Sequence, residues 1–364
     1  MEVDAHTPEL VAVGIDGSPA SLGALAWAAE EASAHGRQLC VYHCWQQPML
    51  VAAAVPGAGL PTPGVRQDAR AAAVVVLQQA MSWLREQHPA LPATGALLEG
   101  PAGRRLIAHA RRDDLLVLGL GSRHRLVARV LGSTVEHALR QARGAVVVVP
   151  PDDRAGVKGP FSGHVVVAAD LVDVVSEVVG AGFAEAAAHG WPLAVVHAEA
   201  GGRVAGAVAL SSDATGQQRL NCAVESWHSR YPYAVVHRAA FRGSPAAVIE
   251  HVAAGARLLV VGRSSHPMRP VRLVDLLLSK VGCPIVVTPP ATIAGVGRGA
   301  APAAEQLLPL LPHHSGGGTA WLSDAKRGRS AGAVDEDYPD LAAGDRERLA
   351  VGRGESGAAV RGGA

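Results

Sequence analysis

Two short loops carry the residue types best suited to holding a charged ligand. The first is Gly14-Ile15-Asp16-Gly17-Ser18, and the second opens at Gly119 and closes at Gly132-Ser133-Thr134. Glycine lets backbone N–H groups approach phosphate oxygens closely, and a helix N-terminus offers unpaired donors and the positive end of its dipole. Ser133 and Thr134 add hydroxyl donors at such a terminus, and Arg123, His124, Arg125 and Arg129 supply cations in the intervening loop. Asp16 brings a carboxylate that can accept a hydrogen bond from a ribose hydroxyl or hold a metal ion. The same residues also have ligand-free readings. Ser133-x-x-Glu136 is a capping box, and Gly17-Ser18-Pro19 is an ordinary strand-to-helix turn with Ser18 as N-cap and Pro19 at the first helical position. There is no G-x4-G-K-[ST] and no G-x-G-x-x-G after the first strand, which excludes a P-loop and disfavours a dinucleotide fold.

The elements that must position these loops form a repeat. Asp16, His35 and His43 recur as Asp170, His189 and His197 at one common spacing. Gly100 and Gly119 recur as Gly243 and Gly262 at a shorter one, and the apolar run Ala145–Val149 before Pro150-Pro151 recurs before Pro289-Pro290, shortened by about one further helical turn. In the first copy Leu10–Ile15, Leu39–Cys44, Thr94–Leu98, Leu115–Gly119 and Ala145–Val149 read as strands, apolar at successive positions as in a parallel sheet covered on both faces. Ala20–His35, Gln67–Gln87, Pro101–Arg112 and Ser133–Ala142 read as the helices between them. This alternation predicts an α/β protein with two tandem, doubly wound parallel-sheet domains, each binding ligands where its strand order reverses. The predicted domains are residues 8–151 and 160–290. Ala145–Val149 and Pro284–Thr288 are the predicted pairing edges of an intramolecular pseudo-dimer, because an unpaired apolar edge is a liability. Residues 291–364, with Gly316-Gly317-Gly318 and little apolar periodicity, read as a disordered tail.

Composition narrows the class. The 364 residues carry 33 Lys+Arg against 32 Asp+Glu, a formal net charge of +1, so no bulk attraction draws the chain to nucleic acid or an anionic membrane. No apolar run reaches the roughly 18 residues of a membrane span. The acidic start, with Glu2, Asp4 and Glu9, has the wrong flank for a signal peptide, and a cytoplasmic location is expected. The 4 cysteines include no C-x-x-C pair. A zinc site needs three or four converging ligands, so Cys40 and Cys44 read as buried apolar thiols. His43 and His197 read as packed, hydrogen-bonded histidines, and Arg111-Arg112-Asp113-Asp114 as a solvated helix end. No nucleophile–base dyad stands beside the loops, so a dedicated hydrolase is not expected.

The chain resembles tandem universal stress proteins. The resemblance rests on VAVGIDGSPAS (Val11–Ser21), YHCW (Tyr42–Trp45), EGPAGRRLIAHARRDDLLVLG (Glu99–Gly119) and GSTVEHALRQARGAVVVVP (Gly132–Pro150), in this order and duplicated. It implies an adenine nucleotide alpha-hydrolase-like fold and ATP, with Mg2+, bound by the first copy. By the resemblance Asp16 meets the ribose or the metal, and the backbone near Cys44 and Leu118 borders adenine. Gly119, Gly121 and Ser122 line the loop, and Gly132, Ser133 and Thr134 hold phosphates. Ser122 stands where the family pattern has its second glycine. The second copy departs further: Leu171-Val172 replace Gly17-Ser18, the loop reads Gly262-Arg263-Ser264-Ser265, and Asp275-Leu276 replace the closing Gly-Ser, with Asp275 expected at a helix start. The implied role is stress or metabolic signalling with an unidentified signalling partner and room for a homodimer. The competing expectation is a nucleotide-free scaffold acting through its surfaces and tail.

Overall fold

A computed structural model describes residues 10–46, 63–111, 114–121, 133–151, 158–169, 175–199, 208–211, 214–263 and 270–289. The predicted tail, 291–364, lies outside the described residues. The N-terminal half runs β1 (Leu10–Ile15), α1 (Pro19–Ala34), β2 (Gln38–Trp45), α2 (Pro63–Gln87), β3 (Ala93–Glu99), α3 (Ala102–His109), β4 (Asp114–Gly119), α4 (Ser133–Gln141) and β5 (Ala145–Val149). The C-terminal half runs β6 (Val165–Ala168), α5 (Val175–His189), β7 (Leu193–Glu199), β8 (Ala209–Leu210), α6 (Ala214–His228), β9 (Val236–Arg242), α7 (Pro245–Val252), β10 (Leu258–Gly262), α8 (Pro270–Lys280) and β11 (Ile285–Thr288).

The local chemistry of these boundaries is repeated. Ser18 caps α1 by accepting a hydrogen bond from Ser21 N at 3.3 Å, and Pro19 occupies the first helical position. At the other end Gly36, at φ +64°, turns the chain out of the helix so that Arg37 N donates to Ala32 O at 2.8 Å. Gly190, at φ +65°, does the same after α5, with Trp191 N donating to Ala186 O at 3.0 Å.

The strands form one eleven-stranded sheet in the order β3-β2-β1-β4-β5-β11-β10-β6-β7-β9-β8. Each half is doubly wound and parallel, apart from the short edge strand β8, which pairs antiparallel with β9, and its order reverses between β1 and β4 or between β6 and β10. The halves meet where β5 and β11 pair antiparallel, Val146 with Val287, Val147 with Val286 and Val148 with Ile285. The two edges expected to pair are therefore joined, and the two sheets are continuous.

Side chains alternate across this sheet into two cores. Val11, Val13, Leu115, Val117 and Val147 pack with α1, α2, α5 and α6 on one face, whereas Ala12, Leu116, Leu118, Val146 and Val148 pack with α3, α4, α7 and α8 on the other. Complete burial of a valine or leucine contributes roughly 1.5–3 kcal/mol, so these aliphatic layers hold the sheet with few aromatic rings. No helix among the described residues is long and apolar enough to cross a membrane.

One sequence expectation fails here. Asp114 is not part of a solvated helix end; it begins β4, is 3% exposed, and accepts a hydrogen bond from Arg111 N at 2.7 Å. A short polar side chain can replace the missing backbone partner at a strand entrance, which the charge run conceals. Arg112 and Asp113 lie outside the described residues.

Arg263 ties the seam from the C-terminal half. Its backbone N donates to Thr288 O at 2.9 Å, the bond Leu120 makes to Val149 O in the other half. Its guanidinium crosses the junction to the carbonyls of Ala142 and Gly144, which follow α4. A cation suits the carbonyl end of a helix. Arg263→Met keeps the aliphatic stem but removes these donors, and a loss of about 1–2 kcal/mol is expected in guanidinium unfolding. A loss below about 0.5 kcal/mol would show that the seam does not rely on this side chain.

Candidate functional site

The strand order places the first loop at the reversal point of the N-terminal half. Gly14 on β1 is in register with Leu118 on β4 and with Tyr42 on β2, so the chain leaves the carboxyl edge through Asp16 beside Gly119. Cys44 lies near the same edge of β2, opposite Leu98, and Gly119 is opposite Val149. The fold thus gathers Asp16, Cys44, Leu118 and Gly119 at one edge. Gly121, Ser133 and Thr134 are described, whereas Ser122, Gly132 and the basic residues Arg123, His124, Arg125 and Arg129 lie outside the described residues.

Asp16 is exposed, and its local bonds are well defined. Oδ1 accepts from Ser18 N at 2.9 Å, Asp16 N donates to Ser21 Oγ at 3.2 Å, and Ser21 Oγ donates to Ser18 O at 2.9 Å. Partial burial opposes the negative charge, but hydrogen bonds from Ser18 and Ser21 and the nearby His43 outweigh it and hold the carboxyl below its ordinary value. A carboxylate is therefore present at neutral pH. Beneath it, His43 Nδ1 contacts Ile15 O at 2.8 Å; His197 Nδ1 makes the same contact with Ala169 O at 3.0 Å in the other half. Both histidines are the packed, hydrogen-bonded groups expected from their recurrence.

The two glycines after β4 do different things. A Cβ added at Gly119 would stand 2.2 Å from Ala20 O and 2.9 Å from Ser21 N, so glycine lets the first turn of α1 press against the end of β4. A Cβ at Gly121 would meet nothing within 4 Å. Across the loop, α4 begins at Ser133, which is exposed, with Thr134 half-buried. The first turn of a helix carries N–H groups without intrahelical partners. Glu136 turns its carboxylate to Arg140 at 3.1 Å along the same helix.

Cys44 is half-buried against the α3/α4 face, and burial raises its thiol to about 11 although Arg105 opposes the rise. It is a neutral wall residue at neutral pH. Tyr42, on the same strand, is likewise pushed up by burial and by Cys40.

The equivalent edge of the C-terminal half is built differently. Gly262 ends β10, but Arg263 is committed to the seam. Contrary to the sequence expectation, Asp275 and Leu276 are not at a helix start. α8 already begins at Pro270, whose fixed φ suits a first helical position, so both residues lie inside the helix and Asp275 cannot cap it. Asp170, Leu171, Val172, Ser264 and Ser265 lie outside the described residues.

One polar group escaped the sequence reading. Glu31, His35, Glu185 and His189 gather into a single cluster between the ends of α1 and α5. His35 and His189 were visible as repeat landmarks, and the signal that marks them as more is the Glu-x-x-x-His spacing in both copies.

A family model described as the universal stress protein family matches residues 9–150. A universal stress protein of Mycolicibacterium smegmatis is 29% identical over 263 residues, spanning 71% of this chain and 88% of that protein. A universal stress protein of Mycobacterium tuberculosis is 33% identical over 143 residues, 39% of this chain and 45% of its own length. The solved structure of a universal stress protein from Archaeoglobus fulgidus matches with a TM-score of 0.52 at 14% identity, covering 78% of this chain and 98% of that chain, a likeness of fold.

Two measurements check this geometry. Gly119→Ala should cost about 1–3 kcal/mol in denaturant unfolding, whereas Gly121→Ala should stay within about 0.5 kcal/mol; equal effects would contradict the packing against Ala20. With a thiol near 11, Cys44 holds a thiolate fraction of about 10⁻³ at pH 8. Iodoacetamide should accordingly modify exposed Cys222 well before Cys44 in the native protein, and early alkylation of Cys44 would show that this edge opens.

Proposed function

We propose that this chain, which belongs to the universal stress protein family through the domain at residues 9–150, is a signalling protein that holds ATP in its N-terminal half. The observation that carries the reading is the strand-order reversal between β1 and β4, with an ionised Asp16 on one side and the exposed first turn of α4 at Ser133 on the other. Open α/β sheets bind ligands at such a point, and a helix start suits phosphate. Asp16 would take the ribose hydroxyls or a Mg2+ ion. A single carboxylate fits Mg2+, which is usually held by one or two carboxylates together with substrate phosphates. Leu118 and the backbone beside Cys44 would border the adenine, with Gly119, Gly121 and Ser122 lining the loop. Gly132, Ser133 and Thr134 would hold the phosphates.

The C-terminal half keeps the fold without the site in this reading. The commitment of Arg263 to the seam supports that division. The chain then acts by binding and by changing its surfaces for a partner in the cytoplasm, and ATP turnover is at most slow. Pairing of two chains is compatible with this role.

A second reading is supported by the bonds around Asp16 and by the contact of Gly119 with Ala20. Both account for the residue types of the loops by local structure alone, as a nucleotide-free scaffold would require. Calorimetric titration with ATP and Mg2+ separates the two. One site per chain is expected, weakened about ten- to a hundredfold in Asp16→Ala by loss of a charged hydrogen bond. Gly132→Asp, which sets a carboxylate among the phosphates, should abolish binding. Absence of binding by the unaltered protein, with no nucleotide co-purifying, would leave the scaffold reading.

A further inference from the structure

The Glu31, His35, Glu185 and His189 cluster lies far from the needs of the nucleotide reading and has a donor set of its own. One ligand atom from each of the four side chains lies within 4.8 Å of every other, the group that meets this test among the described residues. His35 Nε2 is 3.0 Å from Glu31 Oε1 and 3.4 Å from Glu185 Oε2, and His189 Nε2 is 2.9 Å from Glu31 Oε2. Four nitrogen and oxygen ligands around a tetrahedral zinc ion, at about 2.0–2.2 Å each, stand roughly 3.3–3.6 Å apart, so the three contacts at 2.9–3.4 Å need open by only a few tenths of an ångström to become edges of a coordination shell.

The sequence supplies the pairs twice. Glu31 and His35 are four residues apart at the end of α1, and Glu185 and His189 are four apart at the end of α5. That spacing sets two side chains on one helix face, as in helical zinc motifs. The β5–β11 seam then brings the two helix ends together, so each half contributes one carboxylate and one imidazole.

The surroundings point the same way. The Glu31 side chain is 2% exposed, and its Oε1 has no hydrogen-bond partner beyond the ion-pair contact with the His35 imidazole. A carboxylate buried this deeply needs a cation beside it, which a metal ion supplies as well as an imidazolium does. Arg37 lies within electrostatic reach of both carboxylates, but its own buried Nη1 has no hydrogen-bond partner. His189 is stacked on Trp191 with ring centroids 4.1 Å apart, and Arg257 sits over the Trp191 ring at 5.7 Å, which fixes the plane of the imidazole. Ligand orientation by such outer contacts is a property of working metal sites.

We propose that Glu31, His35, Glu185 and His189 form a closed structural site for a divalent transition metal, with zinc the best-suited ion, that clamps α1 to α5 across the seam. Four protein ligands and little solvent access mark a structural rather than a catalytic centre. The site bridges the two halves and touches neither loop of the nucleotide edge, so metal binding is independent of ATP binding.

The test uses the full chain, stripped with EDTA and titrated with ZnCl₂ by calorimetry, with metal content read by mass spectrometry after gel filtration. One zinc per chain is expected. In the double variant His35→Gln, His189→Gln that ion should be lost, with affinity falling by more than the ~10–100-fold that removal of an outer-shell partner costs. Cobalt absorption of the unaltered protein provides a readout that does not depend on the variant folding. An intense visible band of four-coordinate Co2+, displaced by zinc, supports the site. A spectrum indistinguishable from aqueous cobalt, or full zinc retention in a folded double variant, would overturn it and leave an ion-pair cluster held by protons.

Discussion

Three backbone pairings between β5 and β11 decide most of what this molecule can be. Val146, Val147 and Val148 meet Val287, Val286 and Ile285 in the only antiparallel ladder between the two halves among the described strands. Both strands are buried on both faces, so neither could remain an open edge without exposing apolar side chains and unpaired amides. The pairing turns a five-stranded and a six-stranded sheet into one, lays α4 against α8 on one face, and sets the ends of α1 and α5 side by side on the other. Arg263 reinforces the same junction through the carbonyls after α4. Parallel pairing of these two equivalent edges would have turned one half over and set α1 and α5 on opposite faces of the sheet, so the two helix ends would not meet.

The edge where β1 and β4 diverge shows how one residue type can answer to packing and to chemistry together. Gly119 is required by the carbonyl of Ala20, because a side chain there would push α1 away from β4. The same bare backbone is what a phosphate-binding loop needs. The packing explanation and the binding explanation therefore make overlapping demands, and the sequence pattern alone does not separate them. Asp16 is similar: its bond to Ser18 N stabilises the turn, while the same hydrogen bonds keep its carboxyl ionised and available to a cation or a hydroxyl. In the C-terminal half the position after the equivalent glycine became an arginine whose guanidinium faces the seam.

Much of the architecture was legible beforehand because it rests on short-range rules. Apolar runs at successive positions mark parallel strands, and Ser18-Pro19 marks a helix start, all borne out with small shifts at the ends. The recurrence of His43 and His197 signalled a shared packing role, which the bonds to Ile15 O and Ala169 O fulfil. Two residues misled. Asp114 sat in a charge run that suggests solvent, yet one hydrogen bond to Arg111 N is enough to bury it at a strand start. Asp275 aligned with a glycine at the first copy's helix start, but Pro270 begins α8 earlier, and alignment by spacing cannot foresee a helix lengthened at its N-terminus.

The sequence by itself determined the repeat, the alternation of strands and helices, the two-faced aliphatic core and the edge of the sheet where a ligand would lie. These depend on periodicity and on residues close in the chain, so they can be read without coordinates. Only the tertiary structure decided that the two sheets are continuous, that Arg263 belongs to the seam, and that two Glu-x-x-x-His pairs from separate copies converge on one another. Each of those facts is a contact between residues more than a hundred positions apart. Its geometry follows from the direction in which β5 and β11 pair, and nothing local to either strand specifies that direction.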